Sequence, residues 1–201
     1  MAQTSGMAPA MIVKAGGAGG VADMDCDAIF ACFDPPIVMG PHEDQEKSRE
    51  WQAEHVPPCS NFHVSGRGGA KILGCLAFST AKAMTWLVQD GQVLGTEHQQ
   101  LTKAMRDFSQ ANGTANKSLK EWMDKYQEAA KDVLKKRKVK DHAKHLDKDE
   151  LAAAAAKCIR DKVDESFKGK VEQDTPLRNG QAQGKPPAPQ SAPVSSGGQA
   201  V

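Results

Sequence analysis

Two short segments hold the side chains best suited to chemistry. The first runs Trp51-Gln52-Ala53-Glu54-His55-Val56-Pro57-Pro58-Cys59-Ser60-Asn61-Phe62 and is followed by Gly66-Arg67-Gly68. The second is Gly95-Thr96-Glu97-His98, at the head of an expected helix. Glu54 and His55 are adjacent, so inside a strand they point to opposite sides. At a strand end that turns into a proline-containing loop, both reach one cleft. A carboxylate and an imidazole from separate elements, Glu54 and His98, suffice to hold one divalent cation, with water completing the shell. A second imidazole, His55, then takes a proton from water, because a neutral histidine titrates close to physiological pH. This set suits metal-assisted hydrolysis of a phosphodiester, in which the cation offsets charge on the scissile phosphate and the leaving oxygen. The positive end of a helix dipole disfavours protonation of His98, which suits neutral metal ligation.

The elements that must position these residues follow from pattern and punctuation. The chain has 201 residues, enough for one ordinary domain with tails or two small ones. Its mean hydropathy is −0.53, and no window approaches the roughly 18 uninterrupted apolar residues of a membrane span. The first residues lack a basic stretch followed by a solid apolar one, so no secretory leader is expected. Residues 1–24, rich in Gly, Ala and Met, are expected to be a flexible lead-in. Pro35, Pro36, Gly40 and Pro41 break regular structure and leave one short strand at Ile37–Met39. Ser48 to Glu54 is a turn or the approach to a strand. Residues 66–74 form a Gly-rich loop without the GK[ST] of a phosphate cradle. Ser79–Ala83 is a turn or short helix, Thr85–Gln89 a strand, and Asp90-Gly91 a turn. Thr96 caps a helix whose stripe is Leu101, Ala104, Met105 and Phe108. A second helix starts near Thr114 and carries Leu119, Trp122, Met123, Tyr126, Ala130, Val133 and Leu134. A third runs from Asp147 to Phe167. Residues 174–201 are Pro-, Gly-, Gln-, Ser- and Ala-rich and are expected to be disordered.

The Glu54-His55-x-Pro57 segment, an intervening strand and a helix bearing His98 resemble the His-Me finger nucleases (HNH, ββα-metal, endonuclease VII group). More narrowly, EHVPPCSNF with GRGG, WLVQDG and GTEHQQLTKAMRDF is similar to HNH nuclease domains of bacterial polymorphic toxins, often delivered by type VI or related secretion systems. The likeness spans about residues 48–130. It implies an α+β fold: a ββα-metal hairpin-plus-helix core with further C-terminal helices and disordered tails. The boundaries it suggests are a nuclease domain over 25–140 and a charged helical extension over 141–173. It implies His55 as general base, with Glu54 and His98 as ligands of one divalent metal. Asn61 would orient the base and Arg67 would contact phosphate. Position 102 is Thr rather than a second His, so Mg²⁺ is favoured over Mn²⁺ or Zn²⁺. The implied partners are DNA, a cognate immunity protein and a secretion-apparatus or chaperone protein. The implied route is from the producer cytoplasm, without a signal peptide, to the target-cell cytoplasm.

Other features keep ordinary readings beside functional ones. The net charge of +1 divides into −5 over residues 1–101 and +5 over 102–173, so the basic half either follows a phosphate backbone or is a solvated helical surface. Lys135–Lys138 with Lys140 is a solvated helix end, a phosphate contact or an import signal. His42 and His63 are expected at the surface, His63 with a possible place in the cleft. His142 and His145 belong to a solvated helix or linker. Five scattered cysteines, none in CxxC, are expected to be reduced thiols. Two rival functions stay open: a helical adaptor in which the Glu54-His55 pair is incidental, and the same chemistry directed at RNA.

Overall fold

The computed structural model describes residues 20–46, 48–89 and 95–179. In chain order the elements are α1 (Cys26–Ala31), β1 (Phe33–Asp34), β2 (Met39–Pro41), β3 (Trp51–His55), β4 (Met84–Gln89), α2 (Glu97–Ala111), β5 (Lys117–Ser118), α3 (Leu119–Leu134), β6 (Lys138–Val139), α4 (Lys148–Phe167) and β7 (Pro176–Leu177). Helices and small antiparallel sheets occur together, so the α+β class holds. No helix among the described residues is long and apolar enough to cross a membrane.

The main sheet has the order β2-β4-β3. Strand β4 is central because its Thr, Trp and Val side chains suit a pleated surface. Trp86 and Val88, two apart, are both fully buried. Helix α2 closes over this sheet with Leu101 and Met105, both at 0% exposure, four residues apart on one face. Helix α3 starts at a capping box: Ser118 accepts from the Glu121 amide, and the Glu121 carboxylate accepts from the Ser118 amide. This cap, rather than Thr114, sets the start of α3. Along α3, Leu119, Trp122, Met123, Tyr126, Ala130, Val133 and Leu134 are buried as their spacing predicts. The indole N–H of Trp86 donates to the Tyr126 hydroxyl at 2.8 Å and ties the sheet to α3. Helix α4 begins where expected, with the Asp147 side chain accepting from the Glu150 amide. Its alanines are not mere propensity. Ala152, Ala155 and Ala156 are buried, and small side chains let α4 lie close against its neighbours.

Several expectations are corrected by packing. The segment 141–173 is not a peripheral extension: Leu151, Ile159, Val163 and Phe167 of α4 belong to the same core as α2, α3 and β4. The lead-in is partly ordered, since Val21 is buried in that core; residues 1–19 lie outside the described residues. The expected tail is structured at its start. Strand β7 pairs antiparallel with β5, and Leu177 is fully buried; residues 180–201 lie outside the described residues, as does the Asp90-Gly91 turn. The expected strand at Ile37–Met39 is displaced to β2, with Met39 opposite Trp86. The expectation of reduced thiols fails at one pair. Cys26 of α1 and Cys158 of α4 form a disulfide across a sequence separation of 132, which no local spacing signals. Cys32, Cys59 and Cys75 are free and buried, and burial pushes the Cys32 and Cys75 thiols up, away from reactivity.

Two outcomes follow from this core. Reduction of the disulfide, or Cys158→Ser, releases a long loop in the unfolded chain and lowers stability by up to about 4–5 kcal/mol in the chain-entropy limit; urea midpoints with and without reductant read it. Tyr126 is the single tyrosine. Burial, then the nearby Glu54 carboxylate, hold its phenol well above the usual range. The unfolded chain loses this proton near pH 10 and the folded chain does not, so stability falls as pH rises above about 10. Tyrosinate absorbance should therefore appear together with loss of helical circular dichroism, not before it.

Candidate functional site

Strands β3 and β4 pair antiparallel, with Glu54 opposite Trp86 and His55 opposite Thr85. The chain leaves β3 at His55, makes the long loop 56–83, returns along β4 and continues into α2. The order is strand, strand, helix. Because Leu101 and Met105 turn one face of α2 into the core, His98, one turn before Leu101, points toward β3. His98 Nδ1 meets Glu54 Oε2 at 2.7 Å. Sequence neighbours Glu54 and His55 are both 7% exposed and line the same cavity of about 450 Å³, with His98, His42, Ser60 and Arg67 among its other walls. The strand-end argument for a shared cleft is thereby met.

The hydrogen bonds assign protons. His55 Nε2 lies 3.2 Å from the Thr80 carbonyl oxygen. A carbonyl only accepts, so Nε2 carries the hydrogen and Nδ1 is the basic nitrogen. At His98, Nδ1 faces the Glu54 carboxylate, an acceptor, so in this contact Nδ1 carries the hydrogen. Its Nε2 faces the Thr102 hydroxyl at 3.3 Å. A hydroxyl both donates and accepts, so Thr102 satisfies His98 in this tautomer and in the opposite one, which leaves Nδ1 bare for a cation. Threonine one turn after His98 thus has a role that a second imidazole would not fill in the same way.

The position of His98 is set by its neighbour. Glu97 is 6% exposed and Arg137 is 5% exposed. Arg137 Nε donates to Glu97 Oε1 at 2.6 Å, and its Nη2 donates to Glu97 Oε2 and, at 3.1 Å, to the Leu87 carbonyl. Glu97 Oε2 also accepts from the Gln89 amide at 3.1 Å. The guanidinium lies 5.4 Å from the ring centroids of both Trp51 and Trp86, a favourable cation–π geometry. The first turn of α2 is thereby clamped to β4 and to the chain after α3. Among the basic residues at 135–140, Arg137 is buried and structural, whereas Lys136 and Lys138 remain exposed. No spacing rule distinguishes it from its lysine neighbours; the only sequence hint is that it is the arginine, the residue suited to a bidentate buried pair.

Other expectations are redistributed. Asn61, expected to orient His55, makes other contacts. It is fully buried, its amide oxygen accepts from Ser60 at 3.4 Å, and its amide nitrogen has no partner; the Thr80 carbonyl holds His55 instead. Arg67 is exposed at the cavity wall, where an anion can reach it. His42, expected at the surface, is half-buried with its ring centroid 4.5 Å from that of His55. The pairing of β2 with β4 brings it there, and no local pattern announces it. His63 is buried and bonds the Cys59 carbonyl at 3.0 Å, a structural contact. His142 and His145 are exposed. Cys59 is buried, with its sulfur 3.4 Å from the Thr80 hydroxyl.

Among the described residues no group of three or more His, Cys, Asp or Glu side chains gathers around one point. One carboxylate and one imidazole face each other beside an open cavity, a donor pair that fits a divalent cation completed by water; the carboxylate suits Mg²⁺ or Mn²⁺, and the imidazole suits Zn²⁺ as well. Comparisons of the chain with protein-family models, with curated proteins and with solved structures find no match.

The clamp predicts an asymmetric response. Arg137→Met leaves the Glu97 carboxylate buried and alone, at a cost of about 3–5 kcal/mol. The double change Glu97→Gln with Arg137→Met removes both charges and costs less than Arg137→Met by itself. Urea unfolding of the three proteins measures both.

Proposed function

We propose that the protein is a divalent-metal-dependent endonuclease acting on DNA. The observation that carries this is the meeting of Glu54 and His98 across a strand–strand–helix unit, with His55 beside them in one cavity. Residues 44 apart in sequence are brought to 2.7 Å, and the third polar group is a histidine whose tautomer is fixed by a backbone carbonyl. The same arrangement underlies the resemblance to His-Me finger nucleases.

Glu54 Oε2 and His98 Nδ1 are the groups that would hold the cation. When bound, it would supply positive charge to the scissile phosphate and the departing oxygen. His55 removes the proton from the attacking water through Nδ1, while Thr80 keeps the other ring hydrogen in place and supports the imidazolium that results. Arg67, at the exposed wall, offers a planar donor to a phosphate oxygen. Thr102 keeps His98 satisfied whichever ring nitrogen bears hydrogen. The basic surface of residues 102–173, net +5, adds attraction for the backbone that is independent of sequence. Service as a delivered antibacterial toxin, with an immunity protein to neutralise it in the producer, belongs to the same proposal and rests on the toxin-domain resemblance.

Supercoiled plasmid incubated with purified protein and Mg²⁺ should be nicked and linearised, and EDTA should abolish cleavage. His55→Ala should slow it roughly 10²–10⁴-fold, the share of a general base. Cleavage that persists undiminished in His55→Ala would remove this mechanism. Intact plasmid with Mg²⁺, Mn²⁺ and Zn²⁺, but degraded RNA, would redirect the chemistry to RNA.

A further inference from the structure

The loop joining β3 to β4, residues 56–83, contains Arg67, Lys71 and Lys82 and no carboxylate, although residues 1–101 as a whole carry a net charge of −5. It borders the cavity through Pro58, Cys59, Ser60 and Arg67. Among the described residues the most exposed large apolar side chains stand on this loop: Leu73 at 83%, Leu76 at 62% and Val64 at 61%. Leu73 opens a 3₁₀ turn and Leu76 closes it. In such a turn positions i and i+3 eclipse, so the two leucines project from one side as a pair.

The turn is held from beneath. Cys75, between the leucines, is fully buried, and its amide donates to the Ile72 carbonyl at 2.8 Å. Phe78 stacks on Phe62 at 4.1 Å and lies 5.8 Å from Phe167 of α4. Gly74 approaches Thr175 so closely that a Cβ would stand 2.7 Å from the threonine methyl. The leucines are therefore presented on a fixed support. On the same loop Arg67 and Lys82 are exposed, whereas Lys71 is half-buried and donates to the Leu76 and Phe78 carbonyls. A nucleic-acid duplex meets both chemistries at once, with phosphates for the cations and unstacked base faces for the leucines.

We infer that Leu73 and Leu76 form an apolar wedge that enters the base stack of a bound duplex, while Arg67 at the cavity wall and Lys82 hold the phosphates. The inference rests on the nuclease proposal for its choice of ligand, but its test does not require cleavage. A duplex carrying 2-aminopurine is titrated with the full-length protein in EDTA, so that binding and unstacking are read without hydrolysis. Wild type should raise the fluorescence. The double variant Leu73→Ser with Leu76→Ser should lose that rise and bind about tenfold more weakly, since two buried leucines outweigh the cost of opening one step by only a modest margin. Leu73→Met with Leu76→Met should restore both signals. Coincident thermal melts of the three proteins show that folding is unaltered, as expected for exposed positions. Three results would overturn the wedge: equal fluorescence and affinity in the serine variant, no duplex binding by wild type, or leucine-dependent binding confined to phosphatidylserine vesicles. Plasmid cleavage is scored separately. Leucine-dependent unstacking without cleavage in any metal keeps the wedge and removes the hydrolysis; cleavage with leucine-independent binding does the reverse.

Discussion

The buried pair between Glu97 and Arg137 governs the geometry of the cleft. It gathers four parts of the chain at one point: the end of β4 through Gln89 and Leu87, the first turn of α2 through Glu97, the segment after α3 through Arg137, and the ring faces of Trp51 and Trp86. Burying two charges is costly, and their attraction repays that only when the remaining hydrogen bonds are made. Here the carboxylate also receives a backbone amide and the guanidinium Nη2 also reaches a backbone carbonyl, while the guanidinium Nη1 is buried without a hydrogen-bond partner among the described residues. The gain is specificity: α2 has one way to begin, and His98, the next residue, has one place to go.

The cleft is assembled from pieces that serve the core as well. Leu101 and Met105 direct α2, Trp86 and Val88 direct β4, and Tyr126 joins α3 to the sheet while lying within the field of Glu54. The polar site therefore sits on a rigid apolar platform. The His55 ring meets the Thr80 main-chain carbonyl and the His42 ring, so its support depends on the path of the loop 56–83 at Thr80 and on the pairing of β2 with β4. That same loop brings Arg67 to the cavity wall and sets Leu73 and Leu76 in solvent.

The outer shell is closed by connections distant in sequence. The Cys26–Cys158 bond joins the first helix to the last, and β7 returns beside β5 to cover the end of α3, where the Leu119 and Lys120 amides donate to Thr175 and Gln173 carbonyls. Helix α4, charged on its outer face and alanine-rich on its inner one, is thereby part of the body that carries the cleft.

What the sequence determined by itself is local. The apolar stripes of α2 and α3, the Asp147 cap, the strand before Asp90 and the donor types of Glu54, His55 and His98 are all set by residue type and by spacing within a turn or two. Even the shared cleft of Glu54 and His55 follows from a strand that ends at a proline. Tertiary structure alone decided what depends on chain segments meeting across long intervals. It selected Arg137 from a run of cations as a buried clamp, moved His42 beside His55, set the Thr80 carbonyl against His55 Nε2, and joined Cys26 to Cys158. The physical reason is common to these cases. Hydrophobic periodicity is a property of neighbouring residues, whereas the partner of a buried polar group or a thiol is whichever group the packed core delivers to it.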